Sequence, residues 1–242
     1  LGPPVPEDAL MVAPLDPAAL APHYGAFLRP GRVLLTGHSH QAWPDVAGAA
    51  MAQAFADAAE HVDDKWARVM ARADRVRAHV AGRIGARGDE IALGANTHEL
   101  VSRFLSALDW RRGRHVVTTT GEFHSMRRQL LRLAEAGVEV TWVPVDPVAT
   151  LGERLGAAVR ADTVALMAST VLFQTATVVP GLAAAAQAAA RVGAPALFDA
   201  YHGFDVLPFT VADLGGDVFV TSGGYKYAQW GEGCCWLRVP PG

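Results

Sequence analysis

From residue 90 onward, short apolar runs alternate with longer segments of helical periodicity, and few folds are compatible with that alternation. Seven apolar runs predict strands, at residues 90–93, 115–119, 139–143, 164–168, 196–200, 218–221 and 234–239. Helices are predicted between them, at residues 97–108, 124–136, 148–160 and 181–192. Strands and helices that alternate in this way form an α/β fold, a mostly parallel sheet with helices on both faces. Such sheets bind ligands at the carboxyl ends of their strands, so functional residues are expected there.

The first third of the chain lacks this alternation. Residues 1–43 are rich in proline and alanine, which predicts an arm or lid. Residues 44–85 predict a long helix, because Pro44 suits a first helical turn and the apolar residues within 62–70 recur at helical spacing. We therefore expect an N-terminal arm at 1–43 and one large domain at 44–242.

Composition and charge argue against some partners. The chain of 242 residues is 51% hydrophobic and 19% charged, so it can bury a sizeable core. A net charge of −3 offers no electrostatic attraction for nucleic acid or an anionic membrane. The sequence shows no signal-peptide pattern and no apolar stretch of about 18 residues, which predicts a soluble protein. Cys234 and Cys235 are adjacent and poorly placed for a disulfide, which fits the reducing cytoplasm.

One of the only two lysines of the chain stands in an unusual setting. Lys226 follows the sixth predicted strand, behind Gly223 and Gly224, with Tyr225 and Tyr227 on either side. Desolvation there would lower the pKa of the lysine and favour the neutral amine that a Schiff base requires. The alternative is a lysine at the sheet edge whose charged end reaches water.

Three other predicted strand ends carry residues that could belong to the same ligand site as Lys226. Asn96 and Thr97 begin a helix after a glycine turn, where they either cap the helix or help to bind a phosphate. Phe123 follows the second strand and could plug the core or lie over a planar ring. Asp199 ends the fifth strand, where its carboxylate needs a partner such as an arginine, a backbone group or a protonated pyridine nitrogen.

In this order the residues resemble the class V aminotransferase group of fold-type I enzymes that use pyridoxal 5'-phosphate (PLP), and within it the kynureninase-like proteins. The resemblance rests on three motifs: Asp199-Ala200-Tyr201-His202-Gly203, Tyr225-Lys226-Tyr227 and Gly231-Glu232-Gly233. It implies a PLP-binding large domain with a seven-stranded sheet. It also implies a homodimer that acts on a small amino-acid substrate by cleavage or transamination.

The resemblance implies three catalytic residues. Lys226 forms the Schiff base with PLP and then acts as the base that moves the α-proton of the substrate. Asp199 pairs with the pyridinium nitrogen, and His202 lies near the ring and supports that arrangement.

The same resemblance implies five further contacts with the cofactor. Tyr225 donates its hydroxyl to the phosphate, together with groups of Asn96 and Thr97. Phe123 stacks on the pyridine ring, and Ser169 lies on the other side of the cofactor.

The sequence also departs from the kynureninase-like pattern. His124-Ser125-Met126 stands where Pro-Ser-Asp is usual, which weakens kynurenine as the expected substrate. The smaller C-terminal domain of the family has no counterpart up to Gly242, as expected of a fragment. Two other interpretations stay open: a metal-dependent amidohydrolase that uses His38 and His40, and a catalytically inactive protein with the PLP fold.

Overall fold

The computed structural model describes residues 15–241, so residues 1–14 of the predicted arm and Gly242 lie outside the described residues. Seven strands form one sheet in the order β1-β9-β8-β7-β4-β2-β3, and two short strands form a separate hairpin. The sheet strands are β1 (Ile91–Gly94), β2 (His115–Thr119), β3 (Glu139–Val143), β4 (Thr163–Ser169), β7 (Ala196–Asp199), β8 (Phe219–Gly223) and β9 (Cys235–Arg238). The hairpin strands are β5 (Val171–Leu172) and β6 (Thr177–Val178), which the sequence did not predict.

All seven predicted strands are confirmed, and the sheet is parallel except at β9. β9 runs antiparallel to both of its neighbours, so Cys235 at its start is paired with Gly94 and with Gly223. The first residue of β9 therefore lies at the edge where β1 and β8 end. Parallel pairing of β4 with β7 also brings Ser169 beside Asp199 at this edge.

Helices cover both faces of the sheet, as predicted. The four helices of the alternating region are α4 (Thr97–Ser106), α5 (His124–Glu135), α6 (Leu151–Ala157) and α7 (Leu182–Arg191). Alternate side chains of a strand point to opposite faces, so Leu166 and Met167 enter two separate hydrophobic clusters. Helix α6 is shorter than the predicted segment 148–160, because a 3-10 turn occupies Val148–Thr150 before it.

The helical character predicted for residues 44–85 is confirmed, but the region is not one continuous helix. Two helices occur instead, α2 (Asp45–His61) and α3 (Trp66–Ile84), separated by a 3-10 turn at Val62–Lys65. Val62 adopts a φ of 43°, which an α-helix does not tolerate, and Pro44 precedes α2 rather than lying in its first turn.

The described part of the predicted arm, residues 15–43, contains one short helix, α1 (Pro17–Leu20), a 3-10 turn at Ala21–Tyr24 and no strand. Val33 and Leu35 are exposed, so this apolar segment belongs to neither hydrophobic cluster. No helix within residues 15–241 combines the length and the apolar character needed to cross a membrane.

Candidate functional site

A cavity of about 310 Å³ opens at the edge where the parallel strands end. Seven of the eight predicted site residues line it: Asn96, Thr97, Phe123, Asp199, His202, Tyr225 and Lys226. These residues follow β1, β2, β7 and β8, whose carboxyl ends meet at this edge. The cavity therefore lies where a sheet of this kind binds its ligand.

Lys226 is the lysine that lines the cavity. Its side chain is buried, and Nζ lies 2.5 Å from Nε2 of His202. The ring centroids of Phe123 and Tyr201 are each 5.0 Å from Nζ, and that of Tyr225 is 5.7 Å away. Burial lowers the pKa of Lys226 to about 8, although the negative charge of Asp199 opposes this shift. A substantial fraction of the amine is therefore neutral near physiological pH.

His202 is held in its neutral form. Burial above all, with smaller contributions from the nearby Lys226 and His38, lowers its pKa to about 3. A neutral imidazole can accept a hydrogen bond through Nε2, so the contact with Lys226 is a bond donated by the amine.

Within residues 15–241, Asp199 is a buried carboxyl group with no cationic side chain at ion-pair distance. Its Oδ1 accepts a hydrogen bond of 2.8 Å from the backbone N–H of Tyr201, and in residues 15–241 its Oδ2 has no hydrogen-bond partner. Burial raises the pKa of Asp199 to about 6, with the bond from Tyr201 and the charge of Lys226 opposing the shift. A protonated pyridine nitrogen in the cavity would supply the missing positive charge, so Asp199 fits PLP.

The start of helix α4 forms the end of the cavity where a phosphate was expected. Asn96 is the N-cap residue, and its Oδ1 accepts a bond of 2.9 Å from the N–H of Glu99. Thr97 is buried with its Oγ1 4.0 Å from Sγ of Cys235. Asn96 is thus committed to capping through its oxygen, while the start of the helix lines the cavity, where free backbone N–H groups can bind an anion.

Ser169 is the one predicted site residue that does not line the cavity. Its Oγ lies 2.6 Å from Oε2 of Glu122, and its N–H donates to Oε1 over 3.2 Å. Thr119 donates a further hydrogen bond to Oε1 of Glu122. Ser169 therefore lies behind the cavity wall, where it binds a carboxyl group that the sequence interpretation had missed.

Glu122 is fully enclosed and lies near Asp199. Burial raises its pKa to about 7, and the negative charge of Asp199 contributes to the same shift, while the bonds from Ser169 and Thr119 oppose it. The only signal in the sequence is a glutamate inside an otherwise apolar and small segment between β2 and α5. Tyr201 was missed as well, although it stands between Asp199 and His202 in the motif.

The arm reaches the loop that carries Lys226 at several points. Tyr24 donates a hydrogen bond to Gln229, and the indole N–H of Trp43 donates to the carbonyl oxygen of Tyr225 over 3.4 Å. His38 lies 2.8 Å through Nδ1 from the hydroxyl of Tyr227. The arm therefore lies over the lysine loop.

The amidohydrolase interpretation finds no support in this geometry. The sheet is open and seven-stranded rather than a closed barrel, and both ring nitrogens of His38 are hydrogen-bonded to protein groups. Across residues 15–241, no three His, Cys, Asp or Glu side chains are grouped as metal ligands would be.

Comparison with known proteins gives a consistent result. Residues 44–239 match the family model described as aminotransferase class-V. A probable cysteine desulfurase of Methanothermobacter thermautotrophicus is 38% identical over 79 residues, which are 33% of this chain and 20% of that protein.

Solved structures share the fold at low sequence identity. The cysteine desulfurase CsdA of Escherichia coli superposes with a TM-score of 0.74 and 19% identity over 93% of this chain and 58% of that one. The cystine C–S lyase C-DES, in complex with cysteine persulfide, gives a TM-score of 0.72 and 20% identity over 84% of this chain and 55% of that one.

The chain spans about half the length of these structures. The kynureninase-like subgroup expected from the sequence is not supported by these relatives, which are cysteine desulfurases and a C–S lyase. The coarser expectation is confirmed, because the family match covers most of the chain and the cavity fits the cofactor. This chain belongs to the class V aminotransferase family of PLP-dependent enzymes.

Proposed function

We propose that the chain is the cofactor-binding large domain of an enzyme that cleaves the C–S bond of cysteine or a closely related amino acid. The observation that carries the proposal is the buried Lys226 amine, 2.5 Å from the neutral His202 and in a cavity that Asp199 also lines. The similarity to a cysteine desulfurase and a cystine C–S lyase supports sulfur amino acids as the substrate class.

The residues of the cavity divide the work. When bound, PLP supplies an electron sink that is conjugated to the α-carbon of the substrate. Lys226 would hold the aldehyde of the cofactor through its amine, and the same amine, when free of the cofactor, would take or return the α-proton of the substrate. Its lowered pKa of about 8 leaves enough neutral amine for both roles. His202 orients Nζ through their hydrogen bond.

Other residues hold the cofactor in this proposal. Asp199 keeps the pyridine nitrogen protonated, and Phe123 covers one face of the ring. The N–H groups at the start of α4, together with Thr97 and the hydroxyl of Tyr225, bind the phosphate. Asn96 contributes by capping the helix, and Ser169 acts from behind the wall through Glu122.

The two cysteines of the chain do not suit a role as sulfur acceptor. Cys235 is buried in β9, and burial raises the pKa of the thiols of both Cys234 and Cys235. A protonated thiol is a poor nucleophile, so the proposal assigns neither cysteine to sulfur transfer.

The first experiment identifies the attachment point. The chain is incubated with PLP, reduced with borohydride and digested, and the modified peptide is located by mass spectrometry. We expect the pyridoxyl group on Lys226, with Lys65, which lies outside the cavity, as the internal control because it is the only other lysine. Equal modification of both lysines, or none, would contradict the proposed attachment.

The second experiment identifies the substrate class. The PLP-loaded protein is titrated with cysteine, cystine, alanine and kynurenine, while cofactor absorbance and sulfide release are recorded. We expect cysteine or cystine to shift the absorbance, with release of sulfide from cysteine or of cysteine persulfide from cystine. A shift with kynurenine alone would favour kynureninase-like C–C hydrolysis instead. No shift with any of the four would favour the catalytically inactive alternative.

We also propose that residues 44–242 form the PLP-binding large domain, that residues 1–43 are its arm, and that the protein is a homodimer. Support for a partner comes from exposed apolar side chains on α2 and α3: Phe55 is 78% exposed and Trp66 is 57% exposed. Apolar groups of this size are seldom left uncovered. Sedimentation velocity should give a dimer for the unaltered chain and a monomer for Phe55→Asp.

A further inference from the structure

His38 belongs to a sequence motif that the proposed function leaves without a role, yet its imidazole is closely held beside the cavity. Its Nε2 lies 2.8 Å from the carbonyl oxygen of Phe173, and its Nδ1 lies 2.8 Å from the hydroxyl of Tyr227. A carbonyl oxygen only accepts hydrogen bonds, so Nε2 carries the proton. In the neutral ring Nδ1 then accepts from Tyr227, and one tautomer and one orientation of His38 are selected.

The imidazole of His38 lies against that of His202. The ring centroids are 4.5 Å apart with an angle of 31° between the planes, which makes His38 the nearest aromatic neighbour of His202. The next nearest, Phe123 and Phe173, have centroids 6.2 Å and 6.4 Å away.

His202 depends on this packing because hydrogen bonds alone do not orient it. Its Nε2 is bonded to Nζ of Lys226, but across residues 15–241 its Nδ1 forms no hydrogen bond. A ring held at one nitrogen can still tilt and rotate about its Cβ–Cγ bond. A flat group packed against its face removes that freedom.

We infer that His38 is a positioning residue, which acts through His202 to align the amine of Lys226 for cofactor attachment. The inference rests on the proposed function of Lys226. The hydrogen bonds to Tyr227 and Phe173 fix the imidazole ring of His38. This ring orients the imidazole of His202, and His202 in turn orients Nζ of Lys226.

A double-mutant cycle tests whether His38 acts through His202. The rate constant for PLP attachment to the full chain is measured by absorbance for the unaltered protein, His38→Ala, His202→Ala and the double variant. We expect His38→Ala to slow attachment about fivefold, the scale of one stacking contact or hydrogen bond. In the His202→Ala background, the same change should alter the rate less than about twofold, because coupled residues are not additive.

Two variants separate alignment from folding. His38→Phe keeps a flat ring against His202 but loses both hydrogen bonds that fix the ring, so it should slow attachment less than His38→Ala does. His23→Ala removes an exposed histidine of the same arm and should leave the rate unchanged.

The outcomes are decisive in either direction. Equal slowing by His38→Ala in both backgrounds, or no slowing in either, would overturn the inference while leaving the proposed function intact. Slowing by His38→Phe that equals or exceeds the slowing by His38→Ala would also overturn it. Absence of attachment in the unaltered protein would instead overturn the proposed function, and this inference with it.

Discussion

The cavity and the arm that lies over the lysine loop differ in how their polar side chains are held in the structure. In the cavity wall, Glu122, Asp199 and Lys226 are buried at the ends of strands, and burial shifts the pKa of each. In the arm, Tyr24 and His38 are bound to the lysine loop by individual hydrogen bonds. The sheet thus buries the ionisable groups of the site and shifts their pKa values, whereas the arm affects the alignment of the Lys226 amine. Changes in the cavity should have large effects, and most changes in the arm should have small ones.

The largest effect is expected for Lys226→Ala. Without this amine, borohydride should fix no PLP at the cavity, although the strands and helices remain. Mass spectrometry after reduction measures the loss, and circular dichroism checks the fold. Lys65→Ala, at a half-buried position outside the cavity, is the matched control and should keep full attachment. Specific attachment of PLP that persists in Lys226→Ala would show that the cavity does not provide the attachment point.

Glu122 gives the cavity wall a pH-dependent stability. Its pKa in the folded protein is about 7 against an ordinary value of 4.5, so the folded chain binds more protons than the unfolded chain between these values. The free energy of unfolding of the cofactor-free protein should therefore fall as pH rises through this window, by ~3 kcal/mol from Glu122. Glu122→Gln should flatten the decline in urea unfolding measured at several pH values.

Glu153, which is exposed, provides the control for that series. Glu153→Gln should leave the pH dependence as it is. The same decline in Glu122→Gln as in the unaltered protein would show that the buried carboxyl does not retain its proton.

Substitution of Gly223 tests how tightly the backbone of β8 packs against Cys235 and Tyr201, which line the cavity. A Cβ at this position would collide with Sγ of Cys235 and with the hydroxyl of Tyr201. Gly223→Ala should lower the free energy of unfolding by about 1–3 kcal/mol, as overpacking does. Gly48→Ala is the control, because a Cβ there meets open space within helix α2 and should stabilise it slightly. Equal stability of Gly223→Ala and the unaltered chain would indicate that the side chains around Gly223 move to accommodate the added methyl group.

The smallest effect is expected in the arm. Tyr24→Phe removes the hydroxyl that is bonded to Gln229 and should change the free energy of unfolding by about 1 kcal/mol or less. Cofactor attachment should stay within about twofold of the unaltered rate, measured by absorbance. A loss of attachment comparable to that of Lys226→Ala would mean that the arm is part of the cavity rather than its cover.

Local pattern was enough to predict the sheet. Residues 115–119 and 139–143 were predicted as strands with the bounds that the structure has, since their apolar runs end at clear turn or helix signals. The same reasoning failed at Val62, because a single residue with positive φ breaks the helical region without any change in its apolar spacing. The short hairpin of β5 and β6 also escaped prediction, since two-residue strands carry almost no periodicity.

The residue types of the site were determined by the sequence, and their relations by the tertiary structure. A lysine behind two glycines and an aspartate at a strand end are visible in the chain itself, because burial and turn chemistry are local properties. The approach of Lys226 to His202, the enclosure of Glu122 and the stacking of His38 on His202 are not. Each depends on sheet order, on the reversed direction of β9 or on the path of the arm. These bring together residues far apart in sequence, and apolar periodicity contains no information about such distances.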